Sequence, residues 1–188
     1  MDPALAYPAE GVTEVAHRPL TLESVYREHF KPVWRLLRRL GVSLSQLDDA
    51  TQDVFLVVHR KLDSVAADGP LRSWIYAIAV RVASEYRRRA GRARAEQLDI
   101  GIADASPGPG QLSEMQESIR LLHELLAELD DAKRTVFVLS ELEQLSVPEI
   151  ASLLGVNLNT VYSRRRKAKQ LFEAALQRRR AARRGGSP

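Results

Sequence analysis

SVPEIASLLGVNLNTVYSRRRKAK, residues 146–169, reads as two short helices joined by a tight turn, the second carrying a dense set of cations. Ser146 is placed to cap a helix whose third residue, Glu149, can reach back in a capping box. Pro148 falls in the first turn, where a missing N–H is tolerated. Ile150, Leu153 and Leu154 recur at helical spacing, and Gly155 follows where a left-handed cap is wanted. Asn157 suits the cap of a second helix, in which Val161, Ala168 and Phe172 mark the buried side. Two helices in this relation make a helix-turn-helix, whose second member can lie in the DNA major groove. The outward positions Asn159, Thr160, Tyr162, Ser163, Arg164, Arg166 and Lys167 can donate to phosphates or base edges. A plain helical hairpin with a solvated basic face is the competing reading. The ordered succession of cap, turn glycine, second cap and basic helix favours the helix-turn-helix.

Working outward, the rest of the chain is also helical in pattern. From Leu22 to Leu40, apolar residues at Leu22, Val25, Tyr26, Val33, Leu36, Leu37 and Leu40 share one side, with Pro32 placed to kink or split the helix. Gly41 ends it, and Ser43 or Ser45 can cap the next helix, Gln46 to Leu62, which buries Leu47, Ala50, Val54, Val58 and Leu62. Asp68–Gly69–Pro70 signals a turn. A third helix runs from about residue 71 to 89 with Leu71, Ile75, Ile78 and Val82 as its core stripe. The glycines and prolines between Ala90 and Gln111 read as a linker, after which helices resume at about 112–129, 131–142, 146–154 and 157–177. Val136–Ser140 is the only β-rich run, and its helical neighbours favour a buried helix. The expectation is an all-α chain of two small helical domains on a flexible linker. Residues 1–20 are a loose extension, 21–90 the first module, 91–113 the linker, 114–177 the second module and 178–188 a frayed basic tail.

Composition narrows the function. The formal charge of +4 across 188 residues hides a segregation: cations crowd Arg72–Arg94 and Arg164–Arg184, while Glu96–Glu117 has acids and no Lys or Arg. Segregated basic patches suit a polyanionic partner. With no cysteine, disulfides and thiolate-held zinc are excluded. The four histidines are scattered without metal-ligand spacing. No apolar run approaches the roughly 18 residues that span a bilayer, and the N-terminus has no secretory pattern. The arginine tail lacks the apolar anchors of a membrane-surface helix. A cytoplasmic protein without cofactor, metal, membrane contact or small-molecule substrate is expected.

Two faces carry the chemistry. On the helix 71–89, Trp74, Ala77, Arg81, Ser84 and Arg88 fall together opposite the aliphatic stripe, with Arg87, Arg89, Arg92 and Arg94 continuing the charge. A ring beside cations suits unstacked bases and a backbone, although Trp74 taken alone reads more simply as core. On the helix 46–62, Asp49, Gln52, Asp53 and Leu56 share a face, with Asp48 adjacent. Acids facing out from a cationic module repel DNA, so this face either meets something else or is a solvated face with acids at the helix start.

The arrangement resembles the bacterial RNA polymerase sigma factors. LDDATQDVFLVVHRKL is similar to their polymerase-binding helix, and ADGPLRSWIYAIAVRVASEYRRR to their promoter-melting helix. LAELDDAKRTVFVLSELEQLSVPEIASLLGVNLNTVYSRRRKAKQLF is similar to their C-terminal helix-turn-helix domain. The short two-domain chain resembles the extracytoplasmic-function branch over residues 21–176. The resemblance implies that Asp49, Gln52, Asp53 and Phe55 dock on the clamp coiled coil of core RNA polymerase. It implies that Arg72 and Trp74, beside the turn at Asp68–Gly69–Pro70, act where the family captures a flipped −10 base, with Arg81, Arg87 and Arg88 along the flanking promoter DNA. Asn159, Thr160, Ser163, Arg164 and Lys167 would approach the −35 element, and residues 96–114 would thread the polymerase toward its active site. The branch is commonly held inactive by an anti-sigma factor, which leaves room for such a partner here, although the sequence shows none. Two positions depart from the family: Arg81 stands where Asn is usual, and Arg165 where an aliphatic residue is usual, four residues after Val161. A buried unpaired guanidinium is costly, so Arg165 is expected to snorkel or pair.

The alternative is a stand-alone helix-turn-helix repressor or activator, which would normally dimerise on paired half-sites. The outward acids at Asp49 and Asp53 argue against it. An enzyme acting on nucleic acid finds no support, for want of a phosphate-binding glycine loop or a nucleophile–base pair.

Overall fold

The structure is a computed structural model that describes residues 21–62, 71–98 and 114–185; for residues 94–98 and 183–185 it describes the backbone alone. The expected N-terminal extension, the turn at Asp68–Gly69–Pro70 and residues 99–113 of the expected linker lie outside the described residues. Seven α-helices are described, and no strand occurs among the described residues: α1 Leu22–Arg39, α2 Leu47–Lys61, α3 Leu71–Leu98, α4 Glu114–Ala127, α5 Asp131–Phe137, α6 Val147–Leu154 and α7 Leu158–Gly185. A short 3-10 turn, Leu44–Gln46, leads into α2, and a π-helical turn, Val138–Leu142, continues α5.

Local chemistry accounts for the boundaries. Thr21 and Ser24 form a capping box that starts α1. Asp130 caps α5 by accepting from the Lys133 N–H at 2.9 Å. Pro32 sits inside α1 without splitting it. Gly41 closes α1 at φ +94°, a conformation that costs an L side chain dearly, and a Cβ there would collide with the Arg134 guanidinium.

Helices α1, α2 and α3 pack on one another, and α4 to α7 pack around α5 and α7. The stripe expected on α2 is buried in full: Leu47, Ala50, Val54 and Val58 are wholly inaccessible and Leu62 nearly so. Tyr26 differs, remaining 46% exposed, because its ring lies over Phe55 and Phe30 at the rim of a surface groove.

Two boundaries also differ from expectation. Helix α3 runs nine residues beyond Arg89, through Gly91, which meets nothing within 4 Å and is exposed. A solvent-facing glycine costs a helix only about 1 kcal/mol. Helix α7 runs on through the arginine tail, where Arg178 donates to Glu128 at 2.5 Å and Arg179 to Glu124 at 2.7 Å, pinning the tail to α4. The two helical modules are also in contact. Helix α3 packs against α6, and a single cluster of buried side chains runs from Val25 and Ile75 through Leu126 and Ile150 to Ala168.

Candidate nucleic-acid and polymerase interfaces

The helix-turn-helix is built as its residues dictate. The Ser146 N–H donates to Glu149 Oε2 at 2.8 Å, and the Glu149 N–H returns to Ser146 Oγ at 3.4 Å, so the capping box is complete. Gly155 adopts φ +65° between α6 and α7. Asn157 Oδ1 then accepts from the Thr160 N–H at 2.7 Å and from its hydroxyl at 2.9 Å. Ile150, Val161 and Ala168 are completely buried, and Phe172 stacks on Phe137 with centroids 4.6 Å apart.

That packing turns the opposite face of α7 outward. Asn159, Tyr162, Ser163, Arg166 and Lys167 are exposed, and Arg164 is half-buried. Arg164, Arg166 and Lys167 have no ion-pair partner among the described residues. Thr160 is half-buried and its hydroxyl serves the cap. Arg165, the anomaly of the sequence, donates from Nε to Glu141 Oε1 at 2.7 Å with its side chain 41% exposed, so it pairs as expected. That hydrogen bond holds the Glu141 carboxyl below its ordinary value.

The α3 face is divided. Arg81 and Arg88 are exposed, with no ion-pair partner among the described residues. Trp74 is half-buried against the core, so the simpler reading of that residue has structural support. Arg72 and Arg87 are engaged. Arg72 Nη2 donates to the Glu143 carbonyl at 2.5 Å, and Arg87 Nη1 donates to the Leu40 carbonyl at 2.5 Å while its Nε lies 3.0 Å from Asp131 Oδ1.

The α2 face combines acid and apolar surface. Asp49 and Gln52 are exposed and Leu56 is 42% exposed. Beside them a groove of about 570 Å³ is lined by Tyr26, Phe30, Asp48, Gln52, Phe55 and Leu56, among others. Phe55 itself is 5% exposed and forms the groove's floor, its ring 4.8 Å from that of Tyr26. Asp53 is half-buried and accepts from the Tyr86 hydroxyl at 2.8 Å. Burial first, then that hydrogen bond, pushes the Tyr86 phenol up to about 12. Sequence reasoning missed the groove, because Tyr26 reads as core when only its helical period is considered, and Phe30 was given no role.

Residues 25–93 match the family described as Sigma-70 region 2, and residues 119–172 match Sigma-70, region 4. The ferric citrate uptake sigma factor FecI of Escherichia coli is 33% identical over 76% of this chain and 83% of its own length. The chain belongs to the sigma-70 family, in its extracytoplasmic-function branch. The RNA polymerase sigma factor CnrH of Cupriavidus metallidurans is 29% identical over 74% of this chain and 78% of that protein. Two solved sigma factors share the fold. The structure of CnrH in complex with the cytosolic domain of CnrY aligns with a TM-score of 0.64 at 22% identity, covering 83% of this chain and 87% of that one. The sigma factor RpoE of Bartonella quintana, in complex with the anti-sigma factor NepR, aligns with a TM-score of 0.68 at 18% identity, covering 82% and 96%.

As a sigma factor, this chain binds core RNA polymerase and directs promoter recognition and transcription initiation, with DNA binding through its C-terminal helix-turn-helix. The stand-alone repressor is not favoured. The two matched regions fall on α1–α3 and on α4–α7. Among the described residues, no helix is long and apolar enough to cross a membrane.

Proposed function

We propose that three surfaces divide the work of initiation between two modules, residues 21–90 and 114–177, tethered through residues 91–113. The exposed acid of Asp49, with Gln52, Leu56 and the groove floored by Phe55, docks on core polymerase; Asp53 supports that face through Tyr86. Helix α3, through Arg72, Trp74, Arg81, Arg87 and Arg88, handles the −10 region, where Trp and Arg suit unstacked bases and backbone. On α7, Asn159, Ser163, Arg164, Arg166 and Lys167 approach the −35 element, with Thr160 helping to present the helix end. Arg81 in place of the family's usual Asn alters base discrimination at the −10 element. The chain works as a binding subunit and not as an enzyme, and it acts in the cytoplasm, where polymerase is. An anti-sigma factor is its natural antagonist, since NepR holds that role for the Bartonella relative.

The observation that carries this assignment is the charge division between α2 and α7. One face is acidic and apolar, the other a row of cations without internal partners. Polyanion and protein partners are therefore met by different sides of the molecule. The test reverses the exposed acid with Asp49→Lys and Gln52→Lys together, then measures transcription with core polymerase on a broad promoter library. Transcript yield is expected to fall at least about tenfold, equivalent to about 1.4 kcal/mol, while the free chain's affinity for duplex DNA does not fall. Undiminished transcription would remove the docking assignment.

A further inference from the structure

A cleft of about 210 Å³ opens at the C-terminal end of α1, beside α4 and α5. Its polar walls are Arg38 and Arg39 of α1, His123 of α4 and Arg134 of α5, and no carboxylate lines it among the described residues. Helix packing accounts for Arg134: its Nε donates to the Leu126 carbonyl at 2.8 Å and its Nη2 to the Leu129 carbonyl at 3.0 Å, closing the end of α4. Arg39 is accounted for in part, since its Nη1 donates to Glu143 Oε1 at 2.6 Å. Arg38 is not. Its hydrogen bond runs from Nε to His123 Nε2 at 3.0 Å, and it has no ion-pair partner among the described residues. A ring nitrogen that accepts from a guanidinium cannot also hold a proton, so His123 is neutral with its proton on Nδ1. Three half-buried guanidiniums thus converge on one cleft beside an uncharged imidazole. Like charges so gathered repel one another, and an anion placed between them is favoured. The remaining wall is apolar, with Leu44 and Leu126 among its side chains. Leu44 is 61% exposed, a large apolar side chain left at the surface beside the cations.

We propose that this cleft binds a small organic phosphate, its phosphoryl group held by Arg38 and Arg39 and its apolar body by Leu44 and Leu126. The Nη groups of Arg38 supply charge-assisted hydrogen bonds in the planar geometry that suits a phosphoryl group. Its negative charge also lets His123 take up a proton from solvent, which makes the ring a further donor. In the chain alone, burial, then Arg38 and Arg39, hold that imidazole at about 4, and Arg134 is the other charged group on the cleft. The anion opposes all three guanidiniums, so the imidazole pKa rises on binding. The volume lies below the roughly 300–1,000 Å³ of sites for drug-sized ligands, which suits a monoester of a small body. A phosphate of the DNA backbone is the rival occupant. The apolar wall favours the small ligand, because a duplex backbone offers it only sugar and phosphate. The site is independent of the surfaces assigned to polymerase and promoter.

The test uses the full chain with phenyl phosphate as the probe, followed by proton NMR of the four histidine rings; His123→Gln assigns the His123 signal. At pH 7.5 the probe carries nearly two negative charges and should move that signal with a Kd of about 1 mM or tighter. Saturation should raise the His123 pKa by at least about one pH unit, the probe remaining anionic throughout the titration. Arg38→Gln should weaken binding at least about tenfold. Leu44→Ser should weaken it about threefold while leaving the affinity for inorganic phosphate unchanged. Circular dichroism confirms folding, and the exposed Leu44 supplies the folded variant if Arg38→Gln is not one. An unmoved His123 signal, or parental affinity in Arg38→Gln, overturns the site, because the probe then meets only exposed cations elsewhere. Unchanged phenyl phosphate affinity in Leu44→Ser overturns the organic body. A mixed-sequence DNA duplex should leave the His123 signal in place; the same shift with duplex gives the cleft to a backbone phosphate and overturns the small ligand.

Discussion

The two cationic helices present their charges in opposite ways. Along α7, Arg164, Arg166 and Lys167 stand on an outward face without ion-pair partners among the described residues. On α3, Arg81 and Arg88 are similarly available, but Arg72 and Arg87 are tied to Glu143, Leu40 and Asp131. The difference follows from packing. α7 buries Val161, Ala168 and Ala175 on its own module, leaving the far side to solvent. α3 is packed from two directions, by α1 and α2 and by α6, so part of its cationic surface is enclosed. An arginine can therefore serve folding, DNA or both, and substitution separates these roles.

The largest effect is expected on α7. Replacing Arg164, Arg166 and Lys167 together by Ala should weaken duplex binding by the free chain about 100-fold at low salt and flatten its salt dependence. Each lost phosphate contact removes about 0.9 from the slope of log affinity against log salt; fluorescence anisotropy across a salt series reads both. Thermal stability should move little, because Arg166 and Lys167 are exposed and none of the three has an ion-pair partner among the described residues.

On α3 the contrast should invert. Arg87→Ala should lower unfolding free energy by about 1–3 kcal/mol, the usual consequence of stripping a charge-assisted hydrogen bond from the carbonyl of a buried residue, here Leu40. Arg81→Ala should stay within about 0.5 kcal/mol. Urea titration of both variants decides whether the engaged and free arginines differ as described; equal losses would erase the distinction.

The two left-handed glycines sharpen it further. Gly155→Ala meets open space and should cost about 1–2 kcal/mol for backbone conformation alone. Gly41→Ala adds a collision with Arg134 of α5, so its denaturant midpoint should fall further than that of Gly155→Ala.

The smallest effect concerns pH. Burial, then the Arg38 and Arg39 guanidiniums, hold the His123 imidazole down at about 4, against its ordinary 6.5. Between those values the unfolded chain takes up a proton that the folded chain refuses. Stability from this group is thus complete above pH 6.5 and is lost as pH falls toward 4. His123→Gln should shrink the stability difference between pH 7.5 and pH 5 by about 1 kcal/mol, allowing for partial solvent screening.

Much of this was legible in the sequence where structure is local. Ser146, Glu149, Gly155 and Asn157 act within a few residues of themselves, and each does what its chemistry and spacing announce. The aliphatic stripe of α2 was equally readable. What could not be read depended on a distant partner. Arg178 and Arg179 look like a frayed tail until Glu124 and Glu128 on α4 meet them. Tyr26 fits the core period of α1, yet lies over Phe55 at a groove. Glu143 stands between Leu142 and Gln144 in an acidic stretch, and nothing nearby marks it for burial; its partners are 67 to 104 residues away in sequence. Likewise Arg72 lies half a turn of the helical wheel from Arg81, and its partner Glu143, 71 residues away, could not be read from the helix.

The division of labour between the modules is tested most directly by adding core polymerase to the chain labelled at Arg60→Cys and Gln170→Cys while following energy transfer. The free chain should show high transfer, and the polymerase-bound chain low transfer, as α3 and α6 part. High transfer persisting in a complex that produces promoter-dependent transcripts would contradict it.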